Sequence, residues 1–158
     1  MDQQIQQKAW GTSTALVRDK AVHVDRISVL PGGYCSIHRH LYKSNIFHVL
    51  SGRFCVQQFA MIGGRMATRW LLPGDSFTYT AGQWHQFWAG AEGAEALELY
   101  VPSAGVEAVD AADIERLPAL EVGGTGNYQA LTQFWAEAFP ERTACDVPAA
   151  LGAAGSSY

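Results

Sequence analysis

Five histidines, at positions 23, 38, 40, 48 and 85, are the residues best suited to chemistry in this chain. His38-Arg39-His40 forms an H-x-H pair. In a strand, residues two apart point to the same face, so both imidazoles could reach one cation at a metal–nitrogen distance of ~2.1 Å. Such pairs also arise by chance, and histidines satisfied by hydrogen bonds and water stay open as the alternative. His85 lies among Trp84, Phe87 and Trp88. Alternation gives Phe87 the face of His85, where it would line a pocket or pack in the core. Lys43 follows the histidine pair closely and is placed to meet an anionic molecule. His23 and His48 read as surface or edge residues. Cys35, three residues before His38, is expected to face away from it.

The elements that must position these residues read as strands. Period-2 alternation runs through 21–30, 45–51, 53–60, 66–72, 76–80, 85–88 and 94–101. Turn signals separate the segments: Pro31-Gly32-Gly33, Ser51-Gly52, Gly63-Gly64, Pro73-Gly74 and Ala81-Gly82. Short strands so close together predict an antiparallel sandwich or barrel, because parallel pairing would need long crossover helices. After Pro102 the alanine content rises. Residues 110–117 suggest a short helix or turn. Residues 127–139 predict a helix, with Leu131, Phe134, Trp135 and Ala138 on one face and Pro140 ending it. Residues 149–158 are small and polar and are expected to fray.

Composition narrows the functional classes. The chain has 158 residues, 48% of them apolar and 16% charged, enough for a single domain with a real core. A net charge of −4 with no basic stripe argues against a nucleic-acid partner. No apolar run approaches the ~20 residues of a membrane span, and the polar start from Met1 to Lys8 has no signal-peptide core. Three widely spaced cysteines argue against a disulfide framework and for a reducing compartment, expected to be the cytoplasm.

The segment with Gly33, His38, His40 and Gly52 resembles the first motif of the cupin superfamily. The segment with Gly74, Gly82 and His85 resembles the second. Lys8, Trp10, Gly11, the run from Arg26 to Gly33, and residues 113–117 are similar to the mannose-6-phosphate isomerase-like branch. The resemblance covers 8–117 and implies an all-β jelly-roll barrel there; the residue pattern beyond it adds a helical extension over 118–148 and a tail over 149–158 expected to be disordered. It implies that His38, His40 and His85 bind a divalent metal: Zn, Fe, Mn or Ni. The family's glutamate position falls on Asn45, a weak ligand or an outer neighbour of the metal, since its carbonyl oxygen is neutral. Thr80 replaces the second motif's proline, and Ala89 its usual asparagine.

Three neutral imidazoles would leave a divalent ion its full charge, favouring an anionic partner. They also resemble the Fe(II) thiol dioxygenase branch. Lys43, Phe47, Phe87 and Tyr79 are the expected substrate-binding residues, with no general base identified beyond Tyr42, Lys43, His48 or Tyr79. Three functions follow: a metal-dependent isomerase-like enzyme acting on a small polar molecule such as a sugar or sugar phosphate, a three-histidine Fe(II) dioxygenase, and a non-catalytic binding or sensing barrel. The expected assembly is a homodimer paired through sheet edges.

Overall fold

The computed structural model describes residues 4–59, 66–116 and 123–125. The strands are β1 (Ile5–Lys8), β2 (Gly11–Arg18), β3 (His23–Val29), β4 (Gly33–Tyr34), β5 (His38–Arg39), β6 (Lys43–Phe59), β7 (Met66–Leu71), β8 (Ser76–Tyr79), β9 (Trp84–Pro102), β10 (Glu115–Arg116) and β11 (Gly124–Thr125). All pair antiparallel in one curled sheet. Among the described residues there is no helix, and none long and apolar enough to cross a membrane.

The long strands β6 and β9 form the spine, paired from Lys43 with Pro102 to Phe59 with Trp84. The other edge of β9 carries β3, then β4 and β5. The other edge of β6 carries β8 and β7. The spine bends midway, where the register shifts between Val49 and Ser51 and again between Gly52 and Phe54. Gly52 has φ of 74°, and a Cβ there would stand 2.2 Å from the Gly93 carbonyl oxygen. Glycine at this crossing lets the backbones touch, and the bulges turn the corner that curls the sheet.

Alternation fixes what fills the inside. Ile27, Val29, Phe47, Val49, Phe54, Val56, Leu71 and Phe87 share one core. Phe47, Phe54 and Phe87 pack with ring centroids 5.1 to 5.7 Å apart, and Trp10 meets Phe87 edge-on at 5.0 Å. At 25 cal/mol per Å² of apolar surface, each fully buried phenylalanine contributes roughly 2–3 kcal/mol. This apolar plug fills one end of the curl and leaves the other end to polar side chains.

The all-β jelly-roll expectation holds, with changes in detail. Segment 45–51 and the described part of 53–60, up to Phe59, belong to the single strand β6, and 85–88 and 94–101 to β9, because a left-handed glycine bends the backbone without ending its ladder. β1 and β2 were not read as strands; Ser, Thr and Gln give them no apolar period. Residues 110–116 form no helix: a tight turn closes from the Ile114 amide to the Ala112 carbonyl, and β10 then pairs with β5. The predicted helix at 127–139 and the tail at 149–158 lie outside the described residues.

Candidate functional site

The open end of the curl brings His38, His40 and His85 together. His38 on β5 lies opposite His85 on β9 and opposite Arg116 on β10. His40 follows two residues on, in the loop leaving β5. Ring centroids are 4.4 Å apart for His38 and His85, 5.1 Å for His38 and His40, and 5.4 Å for His40 and His85. One ligand atom from each ring lies within 4.8 Å of those of the other two. All three residues are buried.

Each ring is oriented by a backbone carbonyl. Nδ1 of His38 meets the Ser36 oxygen at 2.8 Å, Nδ1 of His40 the Asp113 oxygen at 2.6 Å, and Nδ1 of His85 the Gln83 oxygen at 2.8 Å. A carbonyl only accepts, so Nδ1 carries the proton and Nε2 presents its lone pair. Nε2 of His40 and of His85 is buried with no hydrogen-bond partner. Burial holds the imidazoles neutral: His38 is well below its ordinary range, with His85 and His40 adding to the effect, while His40 lies at about 4 and His85 at about 3. Oriented, neutral imidazoles with unpartnered inner nitrogens are the donor set a divalent cation requires.

The segment from Asp110 to Arg116 clamps this end of the fold. Asp113 Oδ1 accepts from the Leu41 amide at 2.8 Å, and Oδ2 from the Tyr42 amide at 2.9 Å. Lys43 Nζ donates to the Asp110 carbonyl at 2.6 Å, and Arg39 pairs with Glu115 at 2.8 Å. Four successive residues, 39 to 42, and Lys43 after them, are thus gripped by one downstream segment.

A cavity of about 400 Å³ opens beside the histidines. His38 and His40 line it, with Lys43, Phe87, Glu98 and Tyr100. His85 stands behind, stacked on the Tyr79 ring at 4.3 Å. Lys43 is buried beneath the Asp110 carbonyl, its ammonium 4.9 Å from the Tyr100 ring, and burial lowers its pKa. Two of the expected substrate-binding residues, Lys43 and Phe87, therefore border the cavity. Phe47 sits in the apolar plug, and Tyr79 backs His85 while its hydroxyl donates to the Gln57 carbonyl at 2.9 Å. Asn45 is buried and donates from Nδ2 to Glu98 Oε1 at 3.0 Å.

Two neighbours stand elsewhere than the sequence suggests. Cys35 lines the cavity instead of facing away, because the chain between β4 and β5 leaves the strand ladder. Its sulfur accepts from the Phe87 amide at 3.2 Å, and burial pushes its thiol up, so it stays protonated. His23 also lines the cavity, opposite Tyr100 in the β3–β9 register. His48, half-buried, pairs with the Ser76 hydroxyl on the outer face, as expected.

Glu98 was missed altogether. It is 7% exposed, lines the cavity, and is hydrogen-bonded by Asn45 and Tyr100. Burial raises its pKa, and those two hydrogen bonds oppose the rise. Its strand hides it: Leu97 and Leu99 look like the inward set, yet the inward residues are Ala96, Glu98 and Tyr100. Asp25 faces Glu98 from β3, with Val24 and Arg26 on the outward face.

The family model for the cupin domain matches residues 25–101. No curated protein matches the chain. Among solved structures, the chain is similar to oxalate decarboxylase from Bacillus subtilis, with a TM-score of 0.62 and 17% identity over 73% of this chain and 30% of that one. It is also similar to the formate complex of oxalate decarboxylase from Lactobacillus farciminis, with a TM-score of 0.61 and 17% identity over 73% of this chain and 34% of that one. The chain thus spans about a third of those proteins, and at this identity the likeness is one of fold. The family match over residues 25–101, just under half of the chain, and the likeness in fold agree: the described barrel is similar to cupin domains.

Proposed function

We propose that His38, His40 and His85 hold a divalent metal ion, and that the protein acts on a small polar molecule admitted to the adjoining cavity. One observation carries this reading: all three rings give Nδ1 to a backbone carbonyl, leaving the inner nitrogens of His40 and His85 buried and unpartnered. An uncompensated buried nitrogen is costly unless something occupies it. A bound divalent ion would supply Lewis-acid polarisation of a carbonyl or hydroxyl oxygen.

The chain's own groups would do the rest. Lys43 and Arg116 give this end of the cavity a positive field suited to an anion. Phe87 and Trp10 wall off water on the core side. Glu98 supplies a carboxylate to accept a proton from a hydroxyl, the group an isomerase-like reaction needs and the histidine motif itself lacks. Resemblance to the mannose-6-phosphate isomerase-like branch makes a sugar or sugar phosphate the preferred substrate. The buried free thiols of Cys35 and Cys55 support a reducing compartment such as the cytoplasm.

The test is metal analysis of untagged protein, with zinc titration of His38→Ala beside it. The natural protein is expected to take one equivalent, and the variant to lose stoichiometric binding and chelator-sensitive turnover of aldose phosphates. Equal zinc binding by both would remove the proposal. The described cluster contains no carboxylate, and this favours a second reading as an Fe(II) dioxygenase. Oxygen uptake with small thiols or diketones after anaerobic iron loading would support that reading; none across a broad panel would dismiss it.

A further inference from the structure

The cavity wall carries both signs of charge. Beside the histidines stand Lys43 and Arg116, both lining the cavity. Glu98 and Asp25, facing each other in register on β9 and β3, line it as well. The two carboxylates are not equivalent. Asp25 is paired with the Arg18 guanidinium. Glu98 has no ion-pair partner among the described residues; its donors are the Asn45 amide and the Tyr100 hydroxyl, both neutral.

A carboxylate accepts at about four lone-pair positions, and here two donors are in place. Lys43 lies near enough to favour the charge of Glu98. A ligand that reaches its remaining positions must bring hydrogen-bond donors. Lysine and arginine side chains lining the cavity (Lys8, Arg18, Lys43 and Arg116) outnumber its two carboxylates, so the ligand as a whole should be anionic.

We propose that the cavity recognises a small hydroxylated anion, with its anionic group beside His38, His40, Lys43 and Arg116 and a hydroxyl donating to Glu98. Asn45 serves this arrangement by holding the Glu98 carboxylate against the cavity wall. The volume of about 400 Å³ admits molecules from a three-carbon hydroxy acid to a sugar acid or sugar phosphate. The inference deepens the metal-site reading and rests on it, because that site supplies part of the positive charge. Its distinctive content is the hydroxyl taken by the Glu98 carboxylate, which a metal alone would not require.

Calorimetric titration in a non-coordinating buffer tests it, with zinc-loaded protein and four probes: glycerate, glycerol 3-phosphate, propionate and glycerol. At least one hydroxylated anion is expected to bind about tenfold or more tighter than propionate and than glycerol, the charge-assisted hydrogen bond setting that scale. Comparing glycerate with glycerol 3-phosphate separates a carboxylate source from a phosphate source. In Glu98→Gln the advantage over propionate should fall to about threefold or less, with zinc affinity unchanged. Propionate binding as tightly as glycerate, glycerol matching both anions, no binding by any probe, or a preference surviving in Glu98→Gln would each overturn the inference. Loss of zinc from Glu98→Gln would also overturn it, by making Glu98 part of the metal set. Should that variant not fold, the four probes on the natural protein decide alone. The same titration on metal-free protein separates the two readings: failure to bind zinc removes the metal site, while the hydroxyl preference is read independently.

Discussion

At the level of single side chains, Asn45 and Glu98 exchange the parts that sequence would assign them. The carboxylate absent from position 45 is present at 98, one strand away, and the amide at 45 donates to it. Asn45→Glu would put two carboxylates in contact in a buried place. The metal-free variant is expected to lose of order 3 kcal/mol at pH 7, read as a lower midpoint in urea unfolding; an unchanged midpoint would contradict the contact. The histidines set a second expectation. Their folded values lie below the ordinary 6.5, at about 4 for His40 and about 3 for His85, so the unfolded chain binds protons that the folded one does not. Their contribution is complete above about pH 6.5 and declines towards pH 4, at up to ~1.4 kcal/mol per pH unit for each ring. Glu98, raised by burial, works in the opposite sense just above its ordinary 4.5. Thermal melting of metal-free protein should therefore fall from pH 7.5 to pH 5, and a flat profile would show the rings to be solvated.

Among the elements, the histidine strand β5 is only two residues long, too short to fix a site by its own ladder. The segment at 110–116 compensates, with Asp113 taking two amides of the loop after His40. Asp113→Ala should cost about 2–4 kcal/mol, because two charge-assisted hydrogen bonds are lost and two amides are stranded; it should also weaken zinc binding, since His40 and Lys43 depend on the same loop. Unaltered unfolding and zinc titrations would show that the clamp is incidental. Sequence made the metal trio legible through its resemblance to two family motifs; alternation reached only the pair His38 and His40, and His40 stands in the loop leaving β5. Asp113 was invisible as an anchor because its partners are backbone amides, which carry no sequence signal. Glu98 and Asp25 were invisible because Leu97, Leu99 and Val24 point outward, so the hydrophobic period names the wrong face. Glycine misled in the other direction: Gly52 reads as a turn between strands, yet Gly52 and Gly93 are bends within continuous ladders.

For the molecule as a whole, those outward apolar residues have a collective meaning. Val17, Val24, Leu99 and Ile46 lie side by side across four neighbouring strands, with Val17 41% exposed. A contiguous apolar row on the outside of a barrel is a surface that association would cover. A homodimer is therefore expected by light scattering at micromolar concentration, and Val17→Lys should shift it to monomer. A monomeric natural protein would show the row to be solvent-facing.

The clamp at 110–116 also has a consequence in time. His40 takes its orientation from a carbonyl 73 residues further along the chain. Synthesis delivers the chain from its N-terminus, so β6 and its partners can be complete while the imidazole at 40 still turns freely. Metal capture by a nascent chain would therefore wait until residue 113 has left the ribosome, and a stalled product ending near 105 would own every histidine of the trio without the grip that aims the second.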